Sequence, residues 1–151
     1  MKKFLTSIIV VALLLSVVCF AACSKETSFE KVVKCAQDMQ DFIVELDDFE
    51  SFEIDDECGY KLGYDDYPLT VFIFIPFKAT FTDGDVWEDV AYYAGGNFVG
   101  YYSDFDDGSY EELDLDTQLL YLSAGLIYLR NEADEKFSAE DVTNALTPIE
   151  E

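Results

Sequence analysis

No histidine occurs anywhere in the chain, and basic residues are scarce: 9 Lys and Arg stand against 32 Asp and Glu, a formal net charge of −23. The first absence removes the commonest general base, the commonest zinc ligand and every Ser-His or Cys-His nucleophile pair. The second argues against nucleic acid or an anionic membrane surface as a partner, because each phosphate contact would begin in repulsion. Proline is rare too, with 3 residues, and tryptophan occurs once. What the chain does contain is apolar: 50% of it is hydrophobic, with 13 Phe and 10 Tyr. High charge with little apolar surface would mean disorder, but this composition can bury a core, so a folded domain is expected. The acidity itself reads first as solvation and colloidal stability.

The start of the chain is different. Lys2 and Lys3 precede an apolar run from Phe4 to Phe20, relieved only by Thr6, Ser7 and Ser16, and Ala21-Ala22-Cys23 follows at once. These are the positive, apolar and small-residue parts of an export signal. The run Phe20-Ala21-Ala22-Cys23 resembles the lipobox of bacterial membrane lipoproteins, with Phe20 standing where Leu is commoner. The resemblance implies that residues 1–22 are a signal peptide, that Cys23 is lipidated and becomes the first mature residue, and that residues 23–27 form a short tether. It also implies an extracytoplasmic location, with the membrane as a partner through the lipid. An uncleaved span from Phe4 to Ala22 would be nearly long enough to cross a bilayer, but gives no reason for Ala-Ala-Cys at its edge. Cys19 leaves with the leader. Loss of Lys2 and Lys3 moves the net charge from −23 to −25.

Residues 28–151 read as a single acidic α+β domain. Thr27 and Glu30 have capping-box spacing. Val32, Cys35, Ala36, Met39, Phe42, Ile43 and Leu46 then recur at helical steps, predicting a buried stripe on a helix that ends near Asp47. An antiparallel β-meander of about four strands follows. Leu69 to Ile75 is apolar on both faces, which places it centrally. Pro76 is expected to end that run or to force a bulge before Phe77 to Thr82 continues it. Asp83-Gly84, Gly95-Gly96-Asn97 and Asp107-Gly108 mark turns, and Tyr110 to Leu115 is either a fourth strand or a helix start. Phe52 to Tyr64 offers shorter strand candidates. Two C-terminal helices are expected: one through Leu115, Leu119, Leu122, Leu126 and Leu129, and a short one from Ser138, with Phe137 and Val142 spaced as a hydrophobic staple. Helices covering one sheet face complete the expected architecture.

Chemistry-bearing patterns are few. Ser28-Phe29-Glu30-Lys31 matches a Ser-x-x-Lys motif without the companion motifs of that class. Gly95 to Gly100 fits neither a P-loop nor a dinucleotide fingerprint. Asp104-Phe105-Asp106-Asp107-Gly108 resembles the opening of an EF-hand loop, but its Gly comes one residue early and no Glu stands at the twelfth position. A looser cation site from Asp104, Asp106, Asp107 and Glu111 is the remaining metal candidate. Tyr92, Tyr93, Tyr101 and Tyr102 flank the Gly95 turn, so rings are expected on both sheet faces; core packing and ordinary β-propensity account for them first, and on a face left open they would suit a protein or carbohydrate partner. Cys35 and Cys58 are the disulfide candidate, worth about 3 kcal/mol in the chain-entropy model. No cofactor is expected. The reading that results is a lipid-anchored, non-catalytic binding or interaction module, with an envelope-acting, carboxylate-based hydrolase or a low-affinity divalent-cation binder as alternatives.

Overall fold

The computed structural model describes residues 26–46, 48–64, 67–104 and 133–149. The expected helix through Leu115–Leu129 lies outside them, as does the segment from Tyr110 to Leu115.

The first helix, α1 (Ser28–Val44), begins as its sequence dictates. The Thr27 hydroxyl accepts from the Glu30 amide at 3.1 Å, and the Glu30 carboxylate accepts from the Thr27 amide at 2.7 Å. These bonds satisfy donors that a helix start leaves unpaired, and they hold the Glu30 carboxyl below its ordinary pKa. Val32, Cys35, Ala36, Met39 and Ile43 are buried. Phe42 is not: it is 47% exposed, a quarter-turn from the middle of that face. Gln40 is buried in its stead, with its amide donating to the Thr147 carbonyl at 2.8 Å.

Among the described residues six strands follow where about four were expected. They are β1 (Phe49–Ile54), β2 (Cys58–Tyr64), β3 (Tyr67–Phe81), β4 (Val86–Ala94), β5 (Asn97–Tyr101) and β6 (Glu135–Phe137). All are antiparallel, in the order β5-β4-β3-β2-β6, with β1 also on β3. The larger count has two sources. The Phe52–Tyr64 segment supplies β1 and β2, and β6 is too short to leave a periodicity.

Pro76 neither ends nor divides β3, a correction with a geometric cause. Ile54 pairs with Phe77 and Gly59 with Phe74, so β1 and β2 are two stretches of one arm laid along the same edge of β3. Four residues of that arm, 55 to 58, oppose two of β3 there. The Asp55 amide donates to the Pro76 carbonyl at 3.1 Å. A residue's N–H and C=O point to the same side of its strand, so the donor that proline lacks faces this irregular junction and not β4.

A short helix, α2 (Ala139–Ala145), closes the described chain, capped by the Ser138 hydroxyl, which accepts from the Asp141 amide at 3.1 Å. Val142 is fully buried and Phe137 packs on the same core, in line with the staple spacing.

The sheet has two covered faces where one was expected. Against α1 and α2 lie Ile73, Ile75, Phe77, Ala79, Ala91 and Tyr93. On the opposite face Phe72, Phe74, Val90, Tyr92 and Ala94 form a second buried cluster. The Phe74 ring lies across Gly59, where an added Cβ would meet it at 2.0 Å. Farther along β3 this second face turns polar. Lys78 stands in register between Glu53 and Glu88, with its ammonium 3.6 and 3.5 Å from their carboxylates.

Candidate functional site

The structure divides the four flanking tyrosines among different environments. Tyr92 is 0% exposed on the second face and Tyr93 is 4% exposed on the helix face. Tyr102 packs beside the second cluster, and Tyr101 is partly buried on the helix side. Core packing, the first expectation for these rings, holds for Tyr92 and Tyr93, and no open aromatic face forms at these positions: β4 is central, and both of its sides are buried there.

An aromatic cleft exists instead, at the border of α1 and the β4–β5 hairpin. It encloses about 340 Å³ between Asp38, Met39 and Phe42 on α1 and Tyr93, Gly96, Asn97, Phe98 and Tyr101 on the hairpin. Gly95 and Gly96 both have positive φ, 59° and 83°, as a two-residue hairpin turn requires, so Phe98 is carried back beside Tyr93. The next feature is a bulge. Tyr92 pairs with Gly100 but Tyr93 pairs with Phe98, so Val99 is an extra residue in β5. Residues three apart in a regular strand face opposite ways. The bulge reverses that alternation: Val99 packs on the second face, while Phe98 and Tyr101 share the helix face with ring centroids 4.8 Å apart.

The cleft wall continues into the core. Tyr101 meets Trp87 at 4.9 Å, Trp87 meets Phe77 at 5.1 Å, and Phe77 meets Phe52 at 6.1 Å. The outermost rings, Phe42 and Phe98, are each 47% exposed. Burial first, then the negative charges of Asp89 and Asp104, pushes the Tyr101 hydroxyl up to about 12. Tyr93 is raised as well, by burial first and then by Cys35 and Asp38. Both phenols are neutral donors at physiological pH.

A second cleft of about 390 Å³ lies along the same edge of α1, toward its N-terminus. Lys31, Lys34 and Cys35 line it from the helix, Leu69, Thr70 and Val71 from β3, and Gly95 and Gly96 from the turn, with Gly96 shared between the two clefts. Leu69 is 89% exposed. Among the described residues, ion pairs join Lys61 to Asp134, Lys78 to Glu53 and Glu88, and Lys136 to Glu57; Lys31 and Lys34 take part in none. The Lys31 ammonium lies 5.9 Å from the Tyr60 ring centroid.

The remaining candidates resolve as follows. Cys35 and Cys58 are buried in one core cluster, near enough for Cys35 to act electrostatically on Cys58, yet both are free thiols. Burial pushes each to about 12, with Asp38 adding at Cys35 and Asp56 at Cys58. Asp104 accepts from the Tyr101 amide at 2.9 Å, so its carboxylate closes the end of β5. Asp106, Asp107 and Glu111 lie outside the described residues, as does Cys23. Among the described residues no group of three His, Cys, Asp or Glu side chains could hold a metal ion, and no helix is long and apolar enough to cross a membrane.

Sequence reasoning missed Phe42, Phe98, Asp38 and Asn97 as a set. Phe42 fits the apolar stripe and was counted into the core. One usable signal was the Asp38–Phe42 spacing, which puts a carboxylate and a ring side by side on a helix. Comparison with known proteins adds no relative: no family model, no curated protein and no solved structure matches the chain.

Proposed function

We propose that the protein is a lipid-anchored, extracytoplasmic binding module that takes its partner in the aromatic cleft between α1 and the β4–β5 hairpin. The observation that carries this reading is the bulge at Val99. It turns Phe98 onto the same face as Tyr101 and leaves it half in solvent, against the ordinary tendency of a sheet to bury a ring that has a buried neighbour. Exposed aromatic groups gathered in a concave site mark recognition surfaces.

A binding role is supported over hydrolysis by the chemistry present. Carboxylate-based glycoside hydrolysis needs two acids across the scissile bond, and among the described residues Asp38 is the one carboxylate lining this cleft. The chain has no histidine to replace the second.

Anchoring rests on the leader and on Cys23. Two residues, Ser24 and Lys25, separate Cys23 from Glu26, and the three chain steps reach at most about 11 Å. Glu26 lines the second cleft together with Leu69, Lys31 and Lys34. A lipid on Cys23 would therefore bring that end against the bilayer, where an apolar side chain and two ammonium groups are well placed, while the aromatic cleft opens farther along α1. Two acyl chains hold a protein firmly where one does so only marginally.

Cys23→Ala tests the anchoring. Fatty-acid labelling and partition into detergent should both be lost, with the chain accumulating unprocessed or leaking to the medium. Continued labelling of the variant would overturn the lipid assignment while leaving the cleft untouched.

A further inference from the structure

We infer that the aromatic cleft is a site for a small organic cation, an alkylammonium or quaternary ammonium group, held between angled aromatic rings and a carboxylate. This rests on the cleft being the binding site and goes further by naming the ligand's charge and shape.

Ring geometry is the first argument. Stacking a sugar calls for a flat, open platform. Here the rings meet at steep angles, 73° between Tyr93 and Phe98 and 57° between Phe98 and Tyr101. Such rings are walls of a box. A compact cation in a box can lie within about 6 Å of several ring centroids at once, the distance at which the aromatic quadrupole attracts it.

Charge is the second argument, and it comes from the helix. Lys31 and Lys34 occupy the N-terminal half of α1, while Asp38, Asp41 and Glu45 occupy its C-terminal half and cap. The helix dipole favours the acid in the first turn, Glu30, but disfavours Asp41 and Glu45 at the last turn and cap. Asp38 and Asp41 are like charges at i,i+3, and Asp41 and Glu45 at i,i+4, spacings at which repulsion also costs stability. No basic residue occupies the last turn. The C-terminal end of the helix is thus charged against its own preference, and the acidic half is the half that borders the aromatic cleft. Among the described residues no Lys or Arg lines that cleft, so its carboxylate is open to a cation from outside.

Size is the third. About 340 Å³ is small for a folded segment but within the range of small-molecule sites, near its lower end. Asn97 adds one neutral amide, too little polar lining to match the hydroxyls of a saccharide.

The test uses the full chain and its only tryptophan, Trp87, whose ring is 4.9 Å from that of Tyr101. Fluorescence is titrated with choline, with its neutral carbon isostere 3,3-dimethylbutan-1-ol, and with a neutral disaccharide. Choline should give a saturable change that weakens as NaCl is raised, and the isostere should bind at least tenfold more weakly. Phe98→Ala should remove the choline response. Asp38→Asn should weaken it several-fold, with unchanged circular dichroism and thermal midpoint as controls for folding. Equal binding of choline and the isostere would overturn the cation inference and leave the cleft as an apolar site. Preference for the disaccharide would overturn it in favour of a carbohydrate. Silence toward all three probes, confirmed by calorimetry, would remove both the inference and the cleft's assignment as the binding site.

Discussion

Two clefts of nearly equal size lie end to end along one edge of α1, separated by the Gly95-Gly96 turn, and they differ in almost everything else. The one nearer the helix start is lined by two lysines, a protruding leucine and the backbone end of β3. The one nearer the helix end is lined by four aromatic rings and an aspartate. The helix contributes to both with residues taken from the same edge. Glu30 and Lys34 follow the order that macrodipole and side-chain pairing favour, but Asp41 and Glu45 do not, so the helix's own stability does not explain its acidic end. What the difference teaches is that the surface charge of α1 answers to its surroundings: bases where the chain leads back to Cys23, acids where rings are exposed.

The sharpest way to break this contrast is to ask whether the aromatic cleft is only the outer end of the core. Phe77 is fully buried and touches Phe52, Trp87 and Tyr101. Phe77→Ala should cost about 3–5 kcal/mol, the usual range for deleting a buried ring. Phe98 continues the same string but is half in solvent, so Phe98→Ala should cost less than about 1 kcal/mol. Urea unfolding of both variants measures the gap. Equal losses would mean that Phe98 is core, and the cleft would lose its functional reading.

How much of this was readable in the sequence follows from which forces act locally. The Thr27–Glu30 box, the Ser138 cap and the turns at Gly84 and Gly95 depend on neighbours in the chain, and they form where the sequence places them. The α+β class follows from the same signals. Strand number does not, because β6 is three residues whose place is decided by pairing to β2. Pro76 misled because a proline's tolerance depends on which side its missing donor faces, and the β1–β2 junction sets that. The aromatic site was half visible. Tyr93 and Tyr101 carry the signal, but one inserted residue, Val99, decides that Phe98 joins them, and alternation alone assigns Phe98 to the other face. Phe42 was hidden by its own hydrophobicity.

The next prediction sharpens the comparison at the floor of each cleft, where a neutral acid lies. Cys35 borders the lysine cleft and Tyr101 the aromatic one. Cys35 and Cys58 are pushed from 9.0 to about 12, and Tyr101 from 10.0 to about 12. The unfolded chain releases these protons at the ordinary values while the folded chain retains them, so folding binds protons in that window. Stability should be fully present below pH 9 and fall progressively as pH rises toward 12. Thermal midpoints across this range give the profile, and Cys58→Ala should flatten its lower part. Native-state alkylation should likewise reach neither Cys35 nor Cys58 at neutral pH, with both reacting once the chain is unfolded without reductant. A slope that begins well below pH 9 would contradict the assignment, as would thiols that stay blocked after unfolding.

The smallest effect bears most directly on why α1 is charged as it is. Glu45 is the C-cap of α1, at the negative end of the helix dipole, four residues beyond Asp41. Glu45→Lys removes a repulsion and places a cation where the dipole favours one, so stability should rise by about 0.3–1 kcal/mol. The change at the other end, Lys34→Glu, replaces i,i+4 attractions to Glu30 and Asp38 with repulsions and should cost about 1 kcal/mol. If the acidic end of α1 were a matter of folding alone, Glu45→Lys would improve the protein without penalty. If it serves the cleft, that gain has its own loss. Glu45→Lys should weaken choline binding a few-fold at low salt, an effect that fades as NaCl screens the field beyond about 10 Å. Lys34→Glu should leave choline binding unchanged or slightly stronger, and should loosen the acylated chain from vesicles containing anionic lipid. Stabilisation by Glu45→Lys with undiminished choline binding would show that the acidic half of α1 is solvation only, and the two clefts would then differ by accident of composition.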